Sequence, residues 1–274
     1  MENVPHYGGI PAIGYGTFRR KGDEAVACVS KALEAGYRHI DTASFYDNAR
    51  DVGRAINTSS VPRDEVFVTT KVWHDQYGPG QFRASLEASL ERLGMEYVDL
   101  VLVHWPPVAG ESVTAVIEAA AEVKAAGLAR RFGVSNFTKT QIDEAVAAVG
   151  AGEIATNQVE MNVLFQNRGI AEHCNALGIV MTAYQPLILG DAGAFPDVAR
   201  IADRHGATGA QVALAWLLAK GHIAIPSSSN QGRITENLSA ANVALTAGDV
   251  GDLDALDTGV RRVDPSWAPK WDAA

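Results

Sequence analysis

Four residues whose side chains transfer or hold protons follow three short apolar runs in the first half of the sequence. Asp41 and Tyr46 lie five positions apart in the segment HIDTASFYDN. Lys71 follows the run VFVTT, and His104 follows the run VDLVLV. Each residue alone has a structural explanation, as a helix cap, a loop aromatic, an ion-pair partner or a buried histidine. If the runs are adjacent parallel strands, their carboxyl ends meet at one edge and the four side chains converge there.

Proton transfer at a carbonyl group is the chemistry that suits this set. A free tyrosine has a pKa of about 10, which makes Tyr46 a poor acid or base at neutral pH. A nearby Lys71 ammonium would lower this pKa, and Asp41 would keep Lys71 charged and in place. His104 could donate to the carbonyl oxygen while Tyr46, as the general acid, protonates the developing alkoxide. Because none of these side chains can supply two electrons, a reduction also needs a cofactor.

Strand-like and helix-like patterns alternate almost from end to end. The predicted strands are IGYGTF, RHID, EVFVTTKV, YVDLVLVHW, RRFGVSN, IATNQVEM, IVMTAYQ and HIAIPS. Periodic apolar segments between them predict helices, one of them a single segment over residues 199–221. Eight strand–helix units in about 250 residues is the count of a (β/α)8 TIM barrel, although a doubly wound open sheet fits the same alternation. No linker-like segment interrupts the series, so residues 1–274 are predicted to form one domain.

Polar residues recur at the predicted strand ends. In a (β/α)8 barrel the active site lies at the C-terminal ends of the strands. Nearly every predicted strand delivers a chemically capable group there, namely Asp41, Lys71, His104, Ser135, Asn136, Gln158, Glu160, Tyr184 and Ser227. This alignment favours the barrel interpretation and predicts one site at its mouth.

Composition excludes several classes of partner. The chain has 23 basic and 32 acidic residues and a formal charge of −9, which argues against a nucleic-acid partner. No apolar run approaches the roughly 18 residues of a membrane span, so no membrane partner is expected. Two distant cysteines and the lack of a signal-like N-terminus predict a reduced, cytoplasmic protein. The seven histidines show no metal-ligand spacing, so no metal site is predicted.

Two familiar motifs begin in this sequence but are not completed. GYGTFR lacks the third glycine of a Rossmann phosphate loop, and GVSNF has phenylalanine where a nucleophile elbow needs glycine. Neither a Rossmann domain nor a serine hydrolase is therefore supported.

Six segments, however, resemble the aldo-keto reductase superfamily, and they occur in that family's order. They are GYRHIDTASFYDN, TTKVW, LVHWP, GVSNF, NQVE and the terminal IP…R…EN, which together span about Gly14 to Asn237. The resemblance implies a (β/α)8 barrel that transfers hydride from NADPH, or less often NADH, to aldehydes and ketones. It also implies that the catalytic tetrad is Asp41, Tyr46, Lys71 and His104.

The resemblance assigns further residues to a cofactor and a substrate. Cofactor contacts would come from Thr17, Asp41, Ser135, Asn136, Gln158, Tyr184, Leu187, Glu236 and Asn237. Of these, Tyr184 would stack on the nicotinamide ring. Substrate contacts would come from Phe18, Trp73, His104 and Trp105, and the C-terminal stretch DPSWAPKWDAA corresponds to a loop that covers the pocket in relatives. The chain looks like the bacterial subgroup that includes 2,5-diketo-D-gluconate reductases, which implies a monomer with broad specificity for small carbonyls or keto-sugars.

The loop IPSSSNQGR departs from the family pattern. Its serine and asparagine residues could simply cap a helix, or the loop could hold an anion. The family usually has lysine at the position of Ser227, and this lysine and the arginine that corresponds to Arg233 contact the 2′-phosphate of NADPH. Ser228 can still donate a hydrogen bond there, but one cationic contact is lost. We therefore expect NADPH to be accepted with a weaker preference over NADH than relatives show.

Two other functions fit the same fold. In the first, Lys71 would form a Schiff base in an aldolase, which needs a lysine of lowered pKa. In the second, the protein would bind the cofactor as a sensor without turnover, as in the potassium-channel β subunits of the same superfamily. The complete tetrad favours a reductase over both.

Overall fold

Eight parallel strands form the centre of the fold in the described part of the chain. The computed structural model describes residues 4–108, 110–150 and 152–272. A short antiparallel hairpin, β1 (His6–Tyr7) and β2 (Ile10–Pro11), precedes the sheet. The strands that follow are β3 (Tyr15–Gly16), β4 (His39–Asp41), β5 (Phe67–Val72), β6 (Val98–Val103), β7 (Ala129–Ser135), β8 (Ile154–Glu160), β9 (Val180–Tyr184) and β10 (Ile223–Ala224). Each pairs in parallel with the next one along the chain.

The first and last strands of this sheet also meet each other. The backbone N–H groups of Gly14 and Gly16 donate to the carbonyl oxygens of Ala224 and Pro226, both at 2.9 Å. Ile13 and Ala224 form a parallel bridge. The sheet therefore closes on itself, and the predicted (β/α)8 barrel is confirmed.

Helices surround the barrel and follow its strands. They are α1 (Gly22–Ala35), α2 (Ala49–Asn57), α3 (Gln81–Leu93), α4 (Val113–Ala125), α5 (Lys139–Val149), α6 (Arg168–Ala176), α7 (Pro196–His205), α8 (Gly209–Ala219), α9 (Gln231–Leu238) and α10 (Ala247–Asp254). The amphipathic helices bury an apolar side against the strands or against neighbouring helices, whereas α8 is buried continuously over residues 212–218. None of the helices in the described ranges is long and apolar enough to span a bilayer.

The single helix predicted over residues 199–221 is wrong, because the segment forms two helices. Gly206 ends α7 in a left-handed conformation with φ 58°, which glycine adopts without a steric penalty. Two residues later Thr208 begins α8, and its side chain accepts a hydrogen bond from the backbone N–H of Gln211. Gly206, which ends α7, and Thr208, which begins α8, thus lie two residues apart within one continuous apolar pattern.

The two ends of the barrel differ in chemistry. At the end where the strands begin, Ile10 of the hairpin packs with Phe67, Leu100, Leu102 and Ile223 in an apolar cluster. The hairpin therefore covers this end of the barrel. Polar side chains are concentrated at the opposite end, where the strands finish.

Candidate active site

A cleft of about 1350 Å³ opens at the carboxyl ends of the strands. Its wall contains most of the residues that the sequence predicted for catalysis, cofactor and substrate. They are Phe18, Asp41, Tyr46, Trp73, His104, Trp105, Ser135, Asn136, Gln158, Tyr184, Leu187, Ser227, Ser228, Arg233, Glu236 and Asn237. Residues from eight different strand ends or the loops after them thus contribute to one site.

Two of the predicted site residues do not line this cleft. Lys71 lies beneath its floor, and its side chain has no exposed surface. Thr17 is also fully buried, and the side-chain amide of Asn48 donates to its carbonyl oxygen at 2.9 Å. Lys71 can influence a ligand in the cleft only through Asp41 and Tyr46. Thr17 can influence one only through the loop that it helps to hold.

The four predicted catalytic residues come together at the floor of the cleft. The Lys71 ammonium donates to Asp41 Oδ1 at 2.5 Å and to the Tyr46 hydroxyl at 3.2 Å. A third bond, of 3.0 Å, goes to the carbonyl oxygen of Thr42. The rings of Tyr46 and His104 meet edge to face with their centroids 5.8 Å apart. One lysine therefore links the carboxylate to the phenol, and the histidine stands beside the phenol.

The pKa of Tyr46 is raised above its ordinary value, which differs from the sequence prediction. Burial raises this pKa most, while the Lys71 ammonium lowers it and the Asp41 carboxylate raises it again. The predicted effect of Lys71 is present, but the loss of water around the phenol outweighs it. Tyr46 is consequently a protonated group at neutral pH.

Lys71 remains charged. Burial lowers its pKa, but the negative charge of Asp41 and the hydrogen bonds to Asp41 and to the Tyr46 hydroxyl more than offset this, so the pKa is raised overall. Because a Schiff-base lysine needs a free amine at working pH, this environment is unfavourable for one.

The imidazole of His104 is neutral. Burial lowers its pKa well below 6.5, and the positive charges of Lys71 and His74 lower it further. Its Nδ1 atom is buried and has no hydrogen-bond partner among the described residues. A neutral imidazole has one N–H to donate, which suits a neutral carbonyl oxygen.

Side-chain amides and hydroxyls continue the floor beyond the tetrad. Gln158 Nε2 donates to Asp41 Oδ2 at 2.9 Å, and Ser135 Oγ donates to the carbonyl oxygen of Gln158 at 2.8 Å. The Tyr184 hydroxyl donates to Asn136 Oδ1 at 2.8 Å. Asn136 has a left-handed backbone with φ 63°, which asparagine tolerates better than most residues. These groups are held in place by one another and by Asp41.

Aromatic rings form the wall above the tetrad. Phe18 packs on Tyr46 with centroids 5.0 Å apart, and Trp73 packs edge to face on His104 at 4.8 Å. Phe45, which the sequence reasoning missed, stacks on Trp73 at 4.0 Å. Phe45 was missed because a single aromatic in a loop carries no spacing signal.

The C-terminal segment adds another aromatic ring to this wall. Trp267 lines the cleft and packs on Trp105, with centroids 4.8 Å apart. Trp271 lies outside the cleft, where the Arg261 guanidinium stands 3.5 Å over its ring. Of the two tryptophans noted in the sequence, only Trp267 can therefore touch a ligand in the cleft.

The serine-rich loop after β10 both caps a helix and lines the cleft. The side chain of Asn230 accepts a hydrogen bond of 3.0 Å from the backbone N–H of Arg233 and so begins α9. Ser227 is exposed in the cleft wall, and the Tyr15 hydroxyl donates to the carbonyl oxygen of Ser228 at 2.7 Å. The guanidinium of Arg233 is exposed and forms no ion pair within the described residues. The two interpretations of this loop are therefore compatible.

The cleft has features that fit a nicotinamide dinucleotide. It runs without interruption from the tetrad to the loop at Ser227. Four arginines line it in a chain of net charge −9: Arg19, Arg20, Arg233 and Arg262. The buried Oε1 atom of Gln185, a cleft residue, has no hydrogen-bond partner among the described residues. Guanidinium groups suit phosphates, and an unpaired acceptor suits a hydroxyl or amide of a bound molecule.

Across residues 4–108, 110–150 and 152–272, no three His, Cys, Asp or Glu side chains are grouped so that they could hold a metal ion.

Known proteins share both the sequence and the shape. The family model described as "Aldo/keto reductase family" matches residues 12–258. Methylglyoxal reductase DkgB of Escherichia coli O157:H7 is 46% identical over 265 residues, which cover 96% of this chain and 99% of that protein. Morphine 6-dehydrogenase of Pseudomonas putida is 37% identical over 265 residues, which cover 92% of this chain and 89% of that protein.

Solved structures agree with these relatives. A crystal structure assigned as a 2,5-diketo-D-gluconic acid reductase B matches with a TM-score of 0.93 at 40% identity, covering 97% of this chain and 95% of that one. The aldose reductase of Schistosoma japonicum matches with a TM-score of 0.86 at 32% identity, covering 92% and 90%. The resemblance noted in the sequence is confirmed: the chain belongs to the aldo/keto reductase family and is an NAD(P)H-dependent oxidoreductase.

Proposed function

We propose that the protein reduces small aldehydes and ketones to alcohols, with 2-oxoaldehydes such as methylglyoxal among its substrates. The observation that carries this proposal is the bond between the Lys71 ammonium and the Tyr46 hydroxyl at the floor of an aromatic-walled cleft. The names of the relatives, a methylglyoxal reductase and a diketogluconic acid reductase, support a small carbonyl substrate.

Tyr46 acts as the general acid in this proposal. Its raised pKa keeps the phenol protonated, so a proton is available for the oxygen of the carbonyl as negative charge develops there. The Lys71 ammonium at 3.2 Å then stabilises the phenolate that remains. Asp41 keeps Lys71 charged and fixed, because it binds the ammonium at 2.5 Å.

His104 orients the substrate. Its neutral ring stands edge to face with Tyr46, so a carbonyl oxygen within reach of the Tyr46 hydroxyl is also near the imidazole. One N–H donor from His104 and one O–H donor from Tyr46 would fix the oxygen in two directions.

A bound reduced nicotinamide supplies the hydride. Ser135, Asn136 and Gln158 would hold its carboxamide, and the ring of Tyr184 would pack against its face. Leu187 would lie along the pyrophosphate, and Glu236 and Asn237 would contact the adenine end. Thr17 supports the loop beside the ribose rather than touching the cofactor.

NADPH is the proposed cofactor, and NADH is accepted as well. Ser227 and Ser228 offer hydroxyl groups to a 2′-phosphate, and Arg233 offers an exposed guanidinium. No lysine stands at Ser227, so one charge-assisted contact of about 1–3 kcal/mol is missing. The preference for NADPH is therefore weaker than two cationic contacts would give.

The substrate end of the cleft favours compact, partly apolar carbonyls. Phe18, Trp73 and Trp105 supply the flat walls from the barrel loops, and Trp267 supplies one from the C-terminal segment. Aromatic walls with few polar groups bind by shape and burial, which supports broad rather than strict specificity. We further propose that the chain works as a single-domain monomer in the cytoplasm.

The test is reduction of methylglyoxal by the purified chain, followed through oxidation of NADPH. Tyr46→Phe is expected to lower kcat by about two to four orders of magnitude while the Kd for NADPH changes less than twofold. Full activity in Tyr46→Phe would remove Tyr46 from the acid role. Tight NADPH binding without reduction of any aldehyde in a broad panel would favour the sensor function. Covalent trapping of a substrate by borohydride would favour the aldolase.

A further inference from the structure

The C-terminal segment, defined as residues 261–271, crosses the substrate end of the cleft. Val263, Asp264, Pro265 and Trp267 line the cleft on this side. Trp267 reaches furthest, since its ring also packs on Trp73 with centroids 5.8 Å apart. The position of this segment therefore decides how much room a substrate has.

A buried carboxylate of the barrel holds the start of this segment. Glu160 is the last residue of β8 and has no exposed surface. Its Oε2 atom accepts hydrogen bonds from the backbone N–H groups of Arg262 at 3.0 Å and Val263 at 2.7 Å. Among the described residues, these two N–H groups are the hydrogen-bond donors to the carboxylate, and no Lys, Arg or His forms an ion pair with it.

This arrangement couples the charge of Glu160 to the position of the segment. A buried carboxylate is costly unless hydrogen bonds or a cation compensate it. Here the compensation comes from the segment itself, through two successive backbone N–H groups and the nearby positive charge of Arg261. If the segment moved away from the barrel, both bonds would be lost and the carboxylate would be left unpaired or would have to be hydrated.

Glu160 also stands next to residues of the proposed cofactor site. It follows Gln158 by two positions on β8, and its strand neighbour in β9 is Tyr184. The same strand end therefore supports the cofactor side of the cleft and holds the segment on the substrate side.

We propose that Glu160 is a positioning residue, which fixes the C-terminal segment across the cleft and thereby holds Trp267 in the substrate wall. Its carboxylate does not touch the reacting atoms but acts through the backbone of Arg262 and Val263. The kinetic part of this proposal rests on the proposed reduction of small carbonyls, whereas the structural part does not.

The kinetic test compares Glu160→Gln, Trp267→Phe and the double variant with methylglyoxal and NADPH. Glutamine has nearly the same shape as glutamate, but it is neutral. If its amide oxygen replaces Oε2, its amide nitrogen replaces Oε1 and faces the backbone N–H of Arg262, which lies 3.2 Å from Oε1 in the wild type. The KM for methylglyoxal is expected to rise by about tenfold in Glu160→Gln, with kcat changed less than threefold and the Kd for NADPH unchanged.

The double variant shows whether Glu160 acts through Trp267. Residues that act through one another have non-additive effects. The KM of the double variant should therefore be less than twofold higher than the KM of Trp267→Phe alone. Additive effects on KM, or an unchanged KM in a folded Glu160→Gln protein, would overturn the proposal.

A second measurement needs no substrate, so it remains decisive even if the protein reduces no aldehyde. Acrylamide quenching of tryptophan fluorescence should increase in Glu160→Gln, and the increase should disappear when Trp267 is replaced by phenylalanine. Equal quenching with and without Glu160→Gln would mean that the segment is held by other contacts, and the proposal would fail.

Val263→Pro provides the same test from the other partner, in case Glu160→Gln does not fold. Proline lacks the N–H that donates to Glu160 at 2.7 Å, and the barrel strand is left intact. The same rise in KM and in quenching is expected. A Val263→Pro protein that matches the wild type in both would contradict the role of this bond.

Discussion

The ammonium nitrogen of Lys71 lies 3.2 Å from the hydroxyl oxygen of Tyr46, at a point where Lys71 is closed off from water. Two opposing effects meet at this phenol. Burial raises the pKa of Tyr46, and the ammonium lowers it. Because the first effect is larger, Tyr46 holds its proton at rest, and Lys71 favours the phenolate once the proton has left. The pair therefore suits an acid that donates when negative charge appears on the substrate.

Replacing Lys71 by methionine should affect stability and turnover separately. The substitution leaves Asp41 as a buried carboxylate without its cation, although Gln158 still donates to it at 2.9 Å. The free energy of unfolding is expected to fall by about 3–5 kcal/mol. The kcat for reduction is expected to fall by about two to four orders of magnitude, because the phenolate of Tyr46 loses its stabilising charge.

The variant Asp41→Asn/Lys71→Met separates the two effects. It removes both charges, so no unpaired carboxylate remains, and urea unfolding should show that much of the lost stability returns. Steady-state kinetics should show that kcat does not recover. Recovery of kcat together with stability would mean that the pair has only a structural role.

The rate of reduction should show little pH dependence between pH 6.5 and about pH 9. The pKa of Tyr46 is raised above its ordinary value of 10.0, so the proton is kept below that pH and is lost only as the pH rises through the higher value. The pKa of His104 is lowered well below 6.5, so its ring stays neutral at pH 6.5 and above. The measurement is the pH profile of kcat/KM. An inflection within this window that is absent in His104→Gln would show that the imidazole titrates there. Enzyme samples that are returned to pH 7 and then assayed serve as the control for unfolding.

The strand ends were predictable from the sequence, and the reason is periodicity. Nearly every barrel strand is a short apolar run with a polar residue at or beside its end, so the sequence alone assigns Asp41, Lys71 and His104 to one edge. Parallel pairing in chain order then brings neighbours in sequence together. The main features of the site therefore depend on local patterns.

Contacts between distant segments could not be predicted in the same way. The sequence identifies Glu160 as a polar strand end, but nothing near it in the sequence indicates that the backbone N–H of Val263 donates to its carboxylate. The direction of the pKa shift at Tyr46 depends on how much water the folded cleft excludes, which no local pattern reports. The hairpin is not predicted because each of its strands is only two residues long, below the length at which a period is visible.

Ser227→Lys should increase the preference for NADPH. Ser227 is exposed in the cleft wall near Arg233, so a lysine there would add a second positive charge without displacing a buried group. The ratio of kcat/KM for NADPH to that for NADH is expected to rise by about tenfold to a hundredfold.

A matched control for this charge is available two residues further on. Ser229 is also exposed but does not line the cleft, so Ser229→Lys adds the same charge outside the proposed phosphate contact. Its effect on the ratio should be less than about threefold. Equal effects of the two lysines would indicate a general attraction of phosphate rather than a contact. A wild-type preference for NADPH of several thousandfold would contradict the role given to Ser227.

The close approach of α2 and α3 depends on Gly53. A Cβ atom at this position would lie 2.2 Å from the carbonyl oxygen of Leu93, which is far inside van der Waals contact. Asn57, one turn further along α2, donates to the same carbonyl oxygen at 3.0 Å, so the helices cannot separate without losing that bond. Gly53→Ala is expected to lower the free energy of unfolding by about 1–3 kcal/mol, although alanine is the better helix former.

Gly251→Ala is the control for helix propensity. Gly251 lies inside α10, and a Cβ atom there meets nothing within 4 Å. The substitution should therefore raise the free energy of unfolding by about 0.5–1 kcal/mol, the opposite sign to Gly53→Ala. Urea unfolding of the two variants measures both changes, and equal m-values would show that the unfolded states are comparable. If Gly53→Ala were as stable as Gly251→Ala, α2 would have to be able to move away from Leu93 at no cost, and the packing described here would be wrong.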